Sequence, residues 1–197
     1  MATRYFLVGG RDHVVDDGKA LFGAIMEGFA KPIHILSCCF AEPPETWPEK
    51  YERKAKQFFN RNLGNRMTCE LAKLDTFAEQ VTRADVIYLH GGTTQLLVEQ
   101  MHKVPDVDKL FAGKTVVGSS AGGCYLAKKY WAPGARKVGN GSGALSIGFI
   151  PHYNSDYGSD DPRGPIDWAN AKAELETASG GLMVHCLREG EFLELAG

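Results

Sequence analysis

Lys114-Thr115-Val116-Val117-Gly118-Ser119-Ser120-Ala121-Gly122-Gly123-Cys124-Tyr125-Leu126-Ala127 reads as a buried strand, a tight turn and the start of a helix. The residues flanking Ser120 are small, as a nucleophile elbow requires, because the strained turn would drive larger side chains into the sheet or the substrate. A helix that begins directly after the serine also offers the Ala121 N–H to a developing oxyanion. The alternative is that Ser119 or Ser120 caps the helix and does nothing more.

Working outward, short apolar runs at residues 5–8, 33–36, 85–89 and 115–117 alternate with longer segments of helical period. Strands that are apolar on both faces belong in parallel sheets covered by helices. The expectation is therefore an α/β fold, a doubly wound and mostly parallel sheet flanked by helices, in one domain spanning residues 1–197. Residues 18–29 place Leu21, Phe22, Ile25, Met26 and Phe29 on one helical face, and residues 47–63 form a charged amphipathic stretch.

Residues 132–153, with Gly134, Gly139, Gly141, Gly143 and Gly148, read as an irregular loop entering a strand near 147–150. Residues 154–165 read as an exposed loop, 166–177 as a helix, and 182–195 as a closing hairpin turned by Arg188-Glu189-Gly190-Glu191. Glycine-rich punctuation after strand ends, Gly9-Gly10-Arg11-Asp12 and Gly91-Gly92-Thr93-Thr94, marks candidate site walls.

Twenty-two basic and 24 acidic residues leave a formal charge of −2 with no polybasic stripe, which argues against nucleic acid as a partner. No apolar run approaches a membrane span and the first residues do not resemble a signal peptide, so no membrane association is expected. Five irregularly placed cysteines suit a reducing, cytoplasmic setting and offer no zinc spacing.

A serine needs a base within about 3 Å, and six histidines compete for that role. His34 lies in an apolar strand, His13 and His102 in polar surroundings, and His90 just before Gly91 at a strand end. His152 follows a strand and a proline, which places it on a loop, and His185 lies in the apolar run 182–187.

Gly118-Ser119-Ser120-Ala121-Gly122-Gly123 resembles the nucleophile motif of the peptidase S51 family, which includes dipeptidase E (aspartyl dipeptidase) and cyanophycinase. Two further segments are similar to that family. Residues 85–97 match its strand and G-G-N-T loop, with Thr93 where asparagine is usual, and Ile150-Pro151-His152-Tyr153 matches its P-H-[FY] segment. The resemblance implies a class I glutamine amidotransferase-like fold and a serine hydrolase, with Ser120 as nucleophile, His152 as base, and Gly91, Gly92 and Ala121 as the oxyanion hole.

It further implies a small peptide as substrate, with an acidic N-terminal residue held by a cation. Arg163 is the first candidate, ahead of Lys128, Lys129, Arg136 and Lys137. No cofactor and no metal are expected, and a homo-oligomer is left open. The chain departs from dipeptidase E in having no Asp or Glu between Ser120 and His152. Asn140, Glu189, Asp156 and Asp160 are the candidates for a third member.

Three rivals stand beside this reading. An α/β-hydrolase-type esterase would use Ser120, Asp156 or Asp160, and His185, with His90-Gly91-Gly92 as its oxyanion loop. A binding or regulatory member would have kept the fold without turnover. An amidotransferase would need a cysteine at the elbow, whereas Cys124 lies a turn later and Cys38-Cys39 follow another strand.

Overall fold

Runs of branched and aromatic residues with almost nothing to offer solvent form the central strands. In the computed structural model, which describes residues 2–58 and 67–197, these are β1 (Arg4–Val8), β2 (Ile33–Cys38), β4 (Val86–Leu89) and β5 (Thr115–Ser119), with the half-buried β3 (Met67–Leu71) at the sheet's edge. Between them run α1 (Lys19–Met26), α2 (Trp47–Phe58), α3 (Phe77–Arg83), α4 (Thr94–Met101) and α5 (Val107–Phe111). The remainder of the amphipathic stretch expected to run to residue 63 lies outside the described residues.

After β5 the chain makes the short helix α6 (Ala121–Leu126) and passes directly into a second sheet. That sheet holds β6 (Ala127–Ala132), β7 (Lys137–Asn140), β8 (Leu145–Ile150) and β9 (Val184–Cys186) in the order β7-β6-β8-β9. Residues 132–153 are therefore not the irregular loop that their glycines suggested. Glycine serves here as a flat place for rings to lie on, since a Cβ at Gly139 would stand 2.4 Å from Tyr130 Cζ.

Helix α7 (Trp168–Ser179) packs on this sheet. It is capped by Asp167, which accepts from the Asn170 N–H at 3.0 Å, and closed by Gly180 at φ 59°. The last strand, β10 (Phe192–Ala196), returns to the main sheet.

The main sheet has the order β10-β1-β5-β4-β2-β3 and is parallel except for β10, which runs antiparallel to β1. The expected hairpin at 182–195 is not formed, because β9 pairs with β8 in the second sheet while β10 pairs with β1. Residues 187–191 instead bridge the two sheets.

Both faces of the main sheet are covered. Phe6, Val8, Ile35 and Tyr88 pack against Phe22 and Ile25 of α1 on one side. On the other, Leu7, Leu36 and Leu89 meet Phe77, Leu97, Phe111 and Cys124 from α3 to α6. A smaller core of Trp131, Ile150, Ala171 and Leu175 lies under α7. Among the described residues no helix is long and apolar enough to cross a membrane.

Candidate active site

Ser120 sits at the carboxyl end of β5 with φ 49° and ψ −106°, a strained conformation for a residue other than glycine. The turn is possible because Gly122 has no side chain: a Cβ there would lie 2.2 Å from the Leu89 carbonyl oxygen. Ala121 then opens α6, so its N–H is among the first-turn donors that no intrahelical acceptor can satisfy.

The Ser120 Oγ lies 2.9 Å from His152 Nε2, and His152 Nδ1 lies 2.8 Å from Glu189 Oε1. Three consecutive carbonyls at the end of β1 register this arrangement. Val8 O accepts from the Ser120 N–H at 2.9 Å, Gly9 O from the His152 N–H at 2.8 Å, and Gly10 O from the Gly190 N–H at 2.9 Å. Elements far apart in sequence are thereby fixed against one short backbone segment. The Tyr157 ring lies against the imidazole at 4.3 Å between centroids and 29° between planes.

His152 is buried, and its pKa is lowered from the ordinary imidazole value. Desolvation is the main cause; the Glu189 carboxylate opposes it, and the Arg11 guanidinium adds to it. Arg11 Nη1 donates to the second Glu189 oxygen at 3.2 Å, so the carboxylate spans imidazole and guanidinium. Because Arg11 disfavours the imidazolium, Arg11→Ala is expected to raise the His152 pKa. Following the imidazole proton resonances of His152 through a pH titration checks this; an unchanged or lower midpoint would contradict it.

The cleft beside Ser120 encloses about 770 Å³. Arg11, Lys50, Arg53 and Lys54 line it, as do Tyr130, Lys137 and Val138 of the second sheet. Gly91 and Gly92 also line it, and a Cβ at Gly91 would stand 3.2 Å from Ser120 Cβ. Neither the Gly91 nor the Gly92 N–H has an acceptor among the described residues.

The other sequence candidates are placed elsewhere. Asn140 is exposed at the end of β7, Asp160 is exposed, and the carboxylate of exposed Asp156 lies 3.9 Å from Arg11. Arg163 does not line the cleft, because Asp161, two residues before it, holds its Nε at 2.8 Å. His185 stands opposite Phe149 on β9 and does not line the cleft. His90 is buried with Nε2 2.8 Å from Ser37 Oγ, and burial pushes its pKa well down.

Cys124 is buried, and desolvation raises its thiol pKa to about 12; Cys39 is likewise raised to about 11. The sequence marked Gly10 as part of the candidate wall at residues 9–12, without its place against His152, and did not single out Lys50 or Tyr157.

Two solved structures share this architecture over the whole chain. One is a candidate peptidase E protein from Listeria monocytogenes EGD-e, at 18% identity and a TM-score of 0.70, covering 100% of this chain and 96% of that one. The chain is peptidase E-like in fold. The other is a peptidase from an acI-B1 Actinobacterium, at 19% identity and a TM-score of 0.68, covering 100% of this chain and 85% of that one. No protein-family model and no curated protein matches the sequence of this peptidase E-like chain.

Proposed function

We propose that this protein is a serine-type peptidase acting on small peptides, with Ser120 as nucleophile, His152 as base and Glu189 as the acid that orients the imidazole. The observation that carries the reading is the unbroken chain of 2.9 Å and 2.8 Å contacts from the Ser120 Oγ through His152 to Glu189. In the first step, Ser120 Oγ bonds to the scissile carbonyl carbon as its proton passes to His152 Nε2. The imidazolium then protonates the departing amine as the C–N bond breaks, and a water repeats the sequence to release the acyl group.

Glu189 accepts from the Nδ1–H, which fixes the tautomer that leaves Nε2 free to take the proton. The N–H groups of Ala121, Gly91 and Gly92 supply donors for the oxyanion. Glu189 also answers the ground for a binding-only protein, which was the lack of an acid. The esterase alternative loses support because His185 is away from the cleft.

The cleft volume suits a di- or tripeptide rather than a folded chain. Peptides with an N-terminal acidic residue fit a cleft lined by several basic side chains. Arg53, exposed and without an ion-pair partner among the described residues, takes the part first considered for Arg163. The test is hydrolysis of a panel of Asp-X and other dipeptides by the wild type and by Ser120→Ala. Turnover by the wild type alone, strongest for Asp-X, is expected; turnover no greater than that of Ser120→Ala would overturn the peptidase reading.

A further inference from the structure

Lys50, on α2, reaches the site with an ammonium that is almost fully enclosed, its side chain only 9% exposed. Its Nζ donates to Glu42 Oε1 at 2.6 Å and to the carbonyl oxygen of Gly91. An enclosed ammonium is costly unless its donors are satisfied, and these two acceptors are the partners that keep it there. Both belong to residues that line the cleft. Such a cation is committed to the protein rather than offered to a ligand.

In a trans peptide the carbonyl of one residue and the N–H of the next lie in one plane and point to opposite sides of the C–N bond. Holding the Gly91 oxygen on the Lys50 side therefore turns the Gly92 N–H to the other side, and that N–H has no acceptor among the described residues. The adjoining Thr93 N–H is tied to Ala41 O at 2.8 Å, so the peptide is restrained from both directions. A positive charge on the carbonyl also draws electron density from the amide and strengthens its N–H as a donor.

We propose that Lys50 is a positioning residue, which with Glu42 fixes and polarises the Gly91–Gly92 peptide so that the Gly92 N–H donates to the oxyanion formed at Ser120. The assignment rests on the serine-hydrolase reading. Lys50 touches no reacting atom; it acts through the peptide. Nor is it among the groups that shift His152, so its removal should weaken oxyanion binding without altering the base.

The experiment is the second-order rate of Ser120 labelling by a fluorophosphonate, followed as a function of pH, in the wild type, Lys50→Met, Lys50→Arg and Glu42→Gln. Lys50→Met keeps the apolar stem and removes the charge. It is expected to label about 10- to 100-fold more slowly, less than the roughly 10²- to 10³-fold of losing an oxyanion donor outright, because the Gly92 N–H is displaced rather than removed. The pH midpoint should stay where it is, Lys50→Arg should recover part of the rate, and Glu42→Gln should fall between.

A folded Lys50→Met that labels at the wild-type rate overturns the proposal, as does a slowing accompanied by a moved midpoint, which would place the damage at His152. If Lys50→Met does not fold, Glu42→Gln decides, since the Glu42 side chain is itself partly exposed; wild-type labelling by that variant overturns the proposal. Failure of the wild type to label at Ser120 sinks the hydrolase reading itself, and is seen before any variant is compared.

Discussion

Glu189→Gln is expected to lower kcat by about 10⁴-fold with little change in KM, by analogy with neutralising the acid of a serine-protease triad. The carboxylate accepts from His152 Nδ1 at 2.8 Å while its other oxygen holds Arg11 at 3.2 Å. A glutamine can present its NH₂ group to the ring, which favours the tautomer whose Nε2 carries the proton and cannot accept one from Ser120. It also removes the nearer of the two carboxylates that oppose the Arg11 charge, leaving the exposed Asp156 at 3.9 Å.

Both changes act in the same direction on titration. The carboxylate raises the His152 pKa and Arg11 lowers it, so removing the carboxylate alone should move the acid limb of the residual activity to lower pH. Steady-state kinetics on a cleaved dipeptide, compared across pH, measures both effects. A variant within about tenfold of the wild type would remove Glu189 from the mechanism.

Gly10→Ala is expected to cost at least about 10²-fold in kcat, the scale of misplacing a catalytic group by about 1 Å. The added Cβ would lie 2.3 Å from His152 Cε1 and 2.7 Å from Nε2, at a backbone φ of 98° that a side chain disfavours. The backbone cannot retreat freely, because the Gly10 carbonyl accepts from the Gly190 N–H next to the acid. Relief of the clash must displace either the imidazole or Glu189, and overpacking of this kind should also remove about 1–3 kcal/mol of stability.

Gly23→Ala is the control. It lies in α1 with nothing within 4 Å of the added Cβ, and should gain about 0.5–1 kcal/mol of stability with unchanged activity. Thermal unfolding and kcat measured on both variants separate the two cases; equal kcat in both would show that the imidazole seat at Gly10 is not needed.

Four strands of the main sheet, β1, β2, β4 and β5, were legible because both faces are buried, so Tyr5-Phe6-Leu7-Val8 or Val116-Val117 can be little else, whereas the half-buried edge strand β3 gave no such run. The strand, turn and helix around Ser120 were legible because the small residues there are consecutive. The second sheet was not, since β6 and β7 mix lysines with glycine and aromatic residues, and their pattern follows contacts made across the sheet rather than a simple alternation. Arg163 misled because the residue that engages it, Asp161, is so close in sequence that the pair looks like an ordinary charged turn.

Glu189 stood among four candidates for the acid because its selection depends on the crossing from the second sheet back to β1. Gly190 accompanies that crossing by bonding to Gly10, a contact between opposite ends of the chain that no local pattern announces. Lys50 was hidden for the same reason, being one lysine among several on a charged helix until its carbonyl partner is known.

The three carbonyls of residues 8–10 are synthesised early, whereas Glu189 follows both Ser120 and His152 along the chain. A growing polypeptide thus acquires the proposed nucleophile first, the proposed base second and the carboxylate that meets that histidine only when residues 187–196 are out and β10 can dock on β1. Under the proposed mechanism, translation order delays hydrolytic competence until that late closure. A chain cut between residues 152 and 189 would carry a serine and a histidine held by β1 but no carboxylate to orient them.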